Sequence, residues 1–437
     1  WSIWWSISVR SARPDRPAAT NAHPGQDRLL TGMISKRTRM IPRPWLTGLL
    51  LFPAMWPAAH ACLICLPVPT TSPADYLLES EVIVLAREDP GSPYWLRTVK
   101  VLKGDPAGVD RDFFLEAPLQ PERSPNRKRE VICAYGSQGG SPKPEWAWVG
   151  AAEATFTPMV EEILQHGERW KTNPDERAAF FAGHLGHRDQ QVRALAHLEV
   201  ARAPYDRIRE FAGALAAEDL RTSLQNFRLT EWHPLYILLL AQGDEPRDHQ
   251  LIAGKVRSAE ESKRTLHLAA WVTAWIEIDP EAALDFVETH YLANGLREAG
   301  EIRAISRALS VHGNRGHVHL RDRIVGAYRQ ILRRQPGLAP GIVTDLMAWE
   351  RWDLAGAIVP VVMAPPPDMN QASLLQLRAY LRKAGEVTTG NARGVGTTNP
   401  RLILVIIMLA LLMAIPAGLS LRRWRAGRRR EAAPRAT

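Results

Sequence analysis

Cysteine is scarce in this chain: Cys62, Cys65 and Cys133 are the three in 437 residues. Three thiols exclude a four-thiolate zinc site and a fold stapled by many disulfides. Cys62-Leu63-Ile64-Cys65 is no haem attachment, because Leu66 stands where His is required. It also lacks the strand-to-helix setting of a thioredoxin-like motif. A nucleophile elbow is missing as well. Around Gly136-Ser137-Gln138-Gly139, Tyr135 occupies the position of the first Gly, so the stretch reads as a Gly/Ser hairpin or loop. No paired nucleophile and base stands out elsewhere. Neither a catalytic residue nor a cofactor is expected, and the chain is not expected to be an enzyme.

Long charge-free apolar runs are scarce too. Leu402 to Leu421 (LILVIIMLALLMAIPAGLSL) carries no charge, and twelve of its residues are Leu, Ile or Val. Twenty such residues are enough for a spanning helix. The twelve aliphatics favour insertion by about 4 to 7 kcal/mol. Arg422, Arg423, Arg425, Arg428, Arg429 and Arg430 follow directly. The positive-inside rule keeps this tail in the cytoplasm and puts everything before Arg401 outside. The expected location is therefore the inner cell membrane, crossed once. The basic tail, 422–437, also attracts anionic lipid.

The formal net charge of +9 suggests nucleic acid until it is divided. Residues 1–61 hold eight Lys/Arg against two Asp/Glu, and residues 400–437 hold eight Arg against one Glu. The remaining residues, 62–399, carry 39 basic and 43 acidic side chains. A net charge of −4 gives this part no electrostatic reason to bind DNA or RNA.

No Met precedes Met33, and residues 1–32 read as an over-extended frame or a disordered extension, with the start at Met33 or Met40. Residues 33–61 have the pattern of a secretory signal. Lys36, Arg37, Arg39 and Arg43 form its charged start, Trp45 to Trp56 its apolar core and Ala59-His60-Ala61 its cleavage site. Cys62 would then be the first mature residue. Two readings stay open for it. It is lipidated, although Ala59 stands where lipoprotein signals carry Leu, or it joins the disulfide chemistry. The expected bridge runs from Cys65 to Cys133, with Cys62 as the alternative partner. Closing a loop of about seventy residues should stabilise by roughly 4 kcal/mol.

Residues 62–156 read as a small β domain. Val82–Leu85, Trp95–Leu102, Phe113–Leu115, Val131–Tyr135 and Trp146–Gly150 are short β-branched or aromatic runs separated by Pro/Gly/Asp clusters. Five short strands suit a barrel or sandwich. From Thr157 the apolar period becomes helical, starting with Met159, Val160, Ile163 and Leu164. Asn173-Pro174-Asp175-Glu176 is a helix start: Asn caps, Pro takes the first turn and Glu sits three residues after the cap. Ser258 and Glu261 have the same spacing. Further helices are expected over 175–184, 190–201, 205–216, 248–257, 260–278, 280–291, 295–311, 320–333, 373–383 and from Ile342 onward. Such segments bury one face by stacking on neighbours, as in an α-solenoid. The array is placed at 157–386 and a linker at 387–401, ahead of the membrane helix at 402–421.

The stretch CLICLPVPTTSPADYLLESEVIVLA, followed by RTVKVLKGD, resembles the start of bacterial secreted domains with a tissue-inhibitor-of-metalloproteinase or netrin-like OB barrel. Glu81 replaces the Asp of that pattern. The helical part resembles HEAT-type repeats, and the whole order is similar to membrane-anchored bacterial proteins of unknown function. In the inhibitor family the α-amine and carbonyl of the first mature Cys chelate the zinc of a metalloprotease. The resemblance would give that role to Cys62.

His312, His317 and His319, three imidazoles in eight residues around Gly313 and Gly316, are the weak metal candidates. No neighbouring Cys or patterned carboxylate completes a shell, so the segment reads as an inter-helix loop. His184 and His187 suit a helix C-terminal cap. Asp219, Glu260, Glu261, Glu298 and Glu301 read as solvated acids, and Trp232, Trp271, Trp275, Trp349 and Trp352 as core fillers. The leading expectation is a membrane-tethered extracytoplasmic scaffold that binds a still unknown protein, without nucleic acid. A metalloprotease inhibitor acting through Cys62 is the alternative, and an envelope enzyme of unrecognised type the third.

Overall fold

The computed structural model describes residues 71–88, 95–105, 107, 112–115, 130–137 and 144–392. The expected signal segment, Cys62, Cys65, the membrane helix expected at 402–421 and the basic tail lie outside them. The fold is α+β. After helix α1 (Pro73–Glu79) come strands β1 (Val82–Glu88), β2 (Trp95–Lys103), β3 (Asp112–Phe114), β4 (Glu130–Ser137) and β5 (Pro144–Ala151). All five coincide with the expected β-branched and aromatic runs. Ser137 closes β4 opposite Pro144, which agrees with a hairpin and not with a nucleophile elbow.

The sheet is antiparallel in the order β3-β2-β1-β4-β5. Bulges between β1 and β2, at Ile83/Val84 and Leu85/Ala86, increase its twist. Alternation along the strands feeds two cores. Val84, Ala86, Leu96, Phe113, Leu115, Val131 and Cys133 pack together on one face. Ile83, Ile132, Ala134 and Val149 on the other face join Leu77 of α1 and the helices that follow. The β and helical parts thus share one core across residue 156.

Helices follow to the end of the described chain: α2 (Phe156–Thr172), α3 (Pro174–Ala182), α4 (Gln190–Ala201), α5 (Tyr205–Glu210), α6 (Ala217–Gln225), α7 (His233–Leu240), α8 (Pro246–Ser262) and α9 (Leu268–Ile278). Then come α10 (Pro280–Phe286), α11 (Ala299–Arg315), α12 (Arg321–Arg334), α13 (Ala339–Ala348), α14 (Ala355–Met363) and α15 (Gln371–Ala392). The packing alternates. α9 packs on α7 and on α11, α11 on α13, and α13 on α15, while α8, α10, α12 and α14 connect them.

Several boundaries differ from expectation for visible reasons. Asn173 does cap α3, its side chain accepting the Glu176 N–H at 3.4 Å. Ser258 and Glu261, however, lie inside α8 and start no helix. Lys263 and His267 both take left-handed backbone, and they break the run expected over 260–278. α7 carries no helical signal in the sequence, because His233-Pro-Leu-Tyr-Ile-Leu-Leu-Leu240 is buried all round after its first residue and shows no period. α15 runs to Ala392, into the linker expected at 387–401. No helix among the described residues is long and apolar enough to cross a membrane.

Candidate functional site

Helix α9 is apolar over Leu268-Ala-Ala-Trp-Val-Thr-Ala-Trp-Ile, and Glu277 is its single acid. That carboxylate is nearly buried and doubly held. The Tyr205 hydroxyl donates to Oε2 at 2.9 Å, and Arg209 Nε donates to Oε1 at 2.8 Å. Both partners come from α5, so the carboxylate is oriented from a second element before any ligand arrives.

His312 lies in the last turn of α11 and is fully buried. The expected inter-helix loop is therefore corrected at this residue: the helix continues to Arg315, past Gly313. A substituent on Gly313 would stand 2.2 Å from the Trp349 ring, so that glycine serves helix packing and not loop freedom. His312 Nε2 is 2.9 Å from the Thr273 carbonyl of α9. A carbonyl only accepts, so Nε2 holds the proton and Nδ1 the lone pair. Nδ1 is buried and has no hydrogen-bond partner. Burial holds the imidazole pKa down at about 3, against the opposing Thr273 contact, and keeps the ring neutral.

His317 follows in the turn after α11 and stacks on His312, with ring centroids 5.3 Å apart and 17° between planes. Its Nε2 lies 3.6 Å from Glu277 Oε2 and 3.3 Å from the Glu277 carbonyl oxygen. One donor atom each of Glu277, His312 and His317 falls within 4.8 Å of the other two. His319 is exposed and stands edge-on to His317 at 5.5 Å, outside this set. Of the three expected imidazoles the fold therefore gathers two. It adds a carboxylate thirty-five positions before His312, whose only mark in the sequence is being a lone acid in an apolar helix.

Gly316 completes the geometry. A Cβ there would sit 2.4 Å from His312 Nδ1, so any side chain at 316 would cover the lone pair. Two imidazoles and a carboxylate are borderline donors of the type that suit zinc and its neighbours.

The other singled-out residues are structural. His184 Nδ1 meets the Phe180 carbonyl at 2.9 Å, at the end of α3, as a C-terminal cap. His187 instead accepts the Asp189 N–H at 3.0 Å, ahead of α4. Trp275 and Trp349 are buried, and Trp232, Trp271 and Trp352 pack against the same core. Glu301 is not solvated: it is fully buried, accepting from Arg297 and from the Glu298 N–H. Cys133 is a free, fully buried thiol, and Cys62 and Cys65 lie outside the described residues. A shallow, open cleft of about 270 Å³ is lined by Arg257, Trp275, Asp285, Phe286 and His290.

A different feature marks the connections entering α7, α9 and α11. Phe227, Leu266 and Leu296 are exposed at 90, 68 and 83%, and each stands in one of those connections. No family model, curated protein or solved structure matches the chain.

Proposed function

We propose that this protein is a membrane-tethered, extracytoplasmic module that binds a protein partner along the edge of its helical array. The carrying observation is that each of the connections entering α7, α9 and α11 exposes a large apolar side chain, Phe227, Leu266 and Leu296. One helix intervenes between α7 and α9, and one between α9 and α11. In an up-and-down array these three connections therefore share an edge. Exposed large apolar groups recurring in successive connections are the kind of surface that partners cover.

The packing supports a HEAT-like solenoid, since each odd-numbered helix from α7 to α15 packs on the next. The sheet order supports an OB-like domain. A five-stranded OB barrel needs β3 to meet β5, and here Phe113 of β3 stacks on Trp146 of β5 with centroids 3.9 Å apart. The tether is the 402–421 helix with its Arg tail, and it raises the local concentration of the array at the outer face of the membrane.

The test replaces Phe227, Leu266 and Leu296 together by Ser in the full chain, which costs little stability because all three face solvent. Cross-linking in intact envelopes followed by mass spectrometry should give one dominant protein adduct for the native chain and at least tenfold less for the variant. Equal yields with an unchanged circular dichroism spectrum would dismiss this edge as the binding surface.

A further inference from the structure

We propose that Glu277, His312 and His317 bind one divalent metal ion of the zinc class. The three donors converge within 4.8 Å from two helices and the turn after α11. Three features separate the cluster from a chance meeting of polar groups. His312 Nδ1 is a fully buried lone pair without a partner, which is costly to keep unless something occupies it. The opposite nitrogen of the same ring is bonded to the Thr273 carbonyl, the arrangement that fixes the tautomer of metal-bound histidines. Glu277 is likewise braced from outside by Tyr205 and Arg209.

The donor count says what kind of site this is. Structural zinc sites are closed by four protein ligands, whereas three leave a position for water or an incoming ligand. His319 does not belong to the convergent set. The site is therefore three-coordinate from the protein, with an exchangeable fourth position on the side of half-buried His317. Arg209 offsets part of the Glu277 charge, so affinity rests mainly on the two imidazoles. A bound ion would also link α9 to α11 and, through Tyr205 and Arg209, to α5. Binding should then stabilise the middle of the array by mass action.

The experiment uses purified, untagged full chain stripped with a chelator and titrated with Zn²⁺ by calorimetry, and with Co²⁺ by visible absorption. One equivalent should bind, Co²⁺ should give the intense bands of a four-coordinate site, and Zn²⁺ should raise the melting temperature. His317→Ala should weaken binding at least tenfold while folding normally, since His317 is half-buried. Glu277→Gln should do the same, and His319→Ala should change nothing. His312→Gln tests the buried donor, and if that variant does not fold, His317→Ala still decides. A native chain that takes up no metal, or metal uptake unchanged in His317→Ala and Glu277→Gln, overturns the site.

Discussion

Cys133 shows how strongly one residue's chemistry depends on where its side chain points. In β4 it lies opposite Val84 and Trp148, on the face that packs with Phe113 and Leu96. Burial pushes its thiol well above the usual range, so the reactive thiolate is suppressed. Iodoacetamide should therefore leave Cys133 unlabelled in the native protein and label it fully in denaturant, as read by peptide mass. Rapid native labelling would mean that this face of the sheet opens. In the sequence Cys133 was visible only as a possible disulfide partner. Its burial follows from strand register, which a single residue does not encode.

Among the elements, the junction between α1 and the helical array is held by charge. Ser72 caps α1 and donates its hydroxyl to Glu199 of α4. Arg177 of α3 reaches Asp75 at 2.6 Å and Glu199 at 2.9 Å, and Arg202 reaches Asp75 at 2.7 Å. Arg177→Met would leave Arg202 as the one cation on two largely buried carboxylates, at a cost of about 1.5 to 3 kcal/mol. Chemical denaturation should show it as a lowered midpoint. Burial alone would raise the Asp75 carboxyl, but Arg177 and Arg202 together hold it below the ordinary range. A depressed folded value gives stability that is complete above the unfolded pKa of about 3.9 and lost as pH falls through the folded one. Below about pH 4 the native protein should therefore weaken more steeply than Asp75→Asn, measured by urea midpoints from pH 7 to pH 3. Parallel curves would remove Asp75 from the acid response. Nothing in the sequence pairs Asp75 with residues a hundred positions away, although the cap spacing Ser72-Pro73-Ala74-Asp75 was there to read.

For the whole molecule, topology is the property that follows most directly from composition. The span proposed at 402–421, with its Arg-rich tail, would put the β domain and helices outside the cytoplasm. Protease added to intact spheroplasts should remove the part before Arg401 and spare the tail, as followed with antibodies to each end. A digested tail beside a protected array would reverse the orientation.

Strand runs, the switch to helical period at 157 and the cap at Asn173 were all legible, because each depends on residues close in sequence. Ends set by local signals came out nearly in place, as with α4 over Gln190–Ala201. What sequence alone left undecided was long-range. α7 shows no period because it is buried on every side, and the break after α8 rests on two left-handed residues that carry no glycine signal. Glu277 meets His312 and His317 only because α9 packs on α11. Local pattern determines which segments become helix or strand, since backbone preference and amphipathic period act over a few residues. Which side chains then converge is decided by packing between segments, where burial strips water from a lone acid and an imidazole and leaves them to find each other.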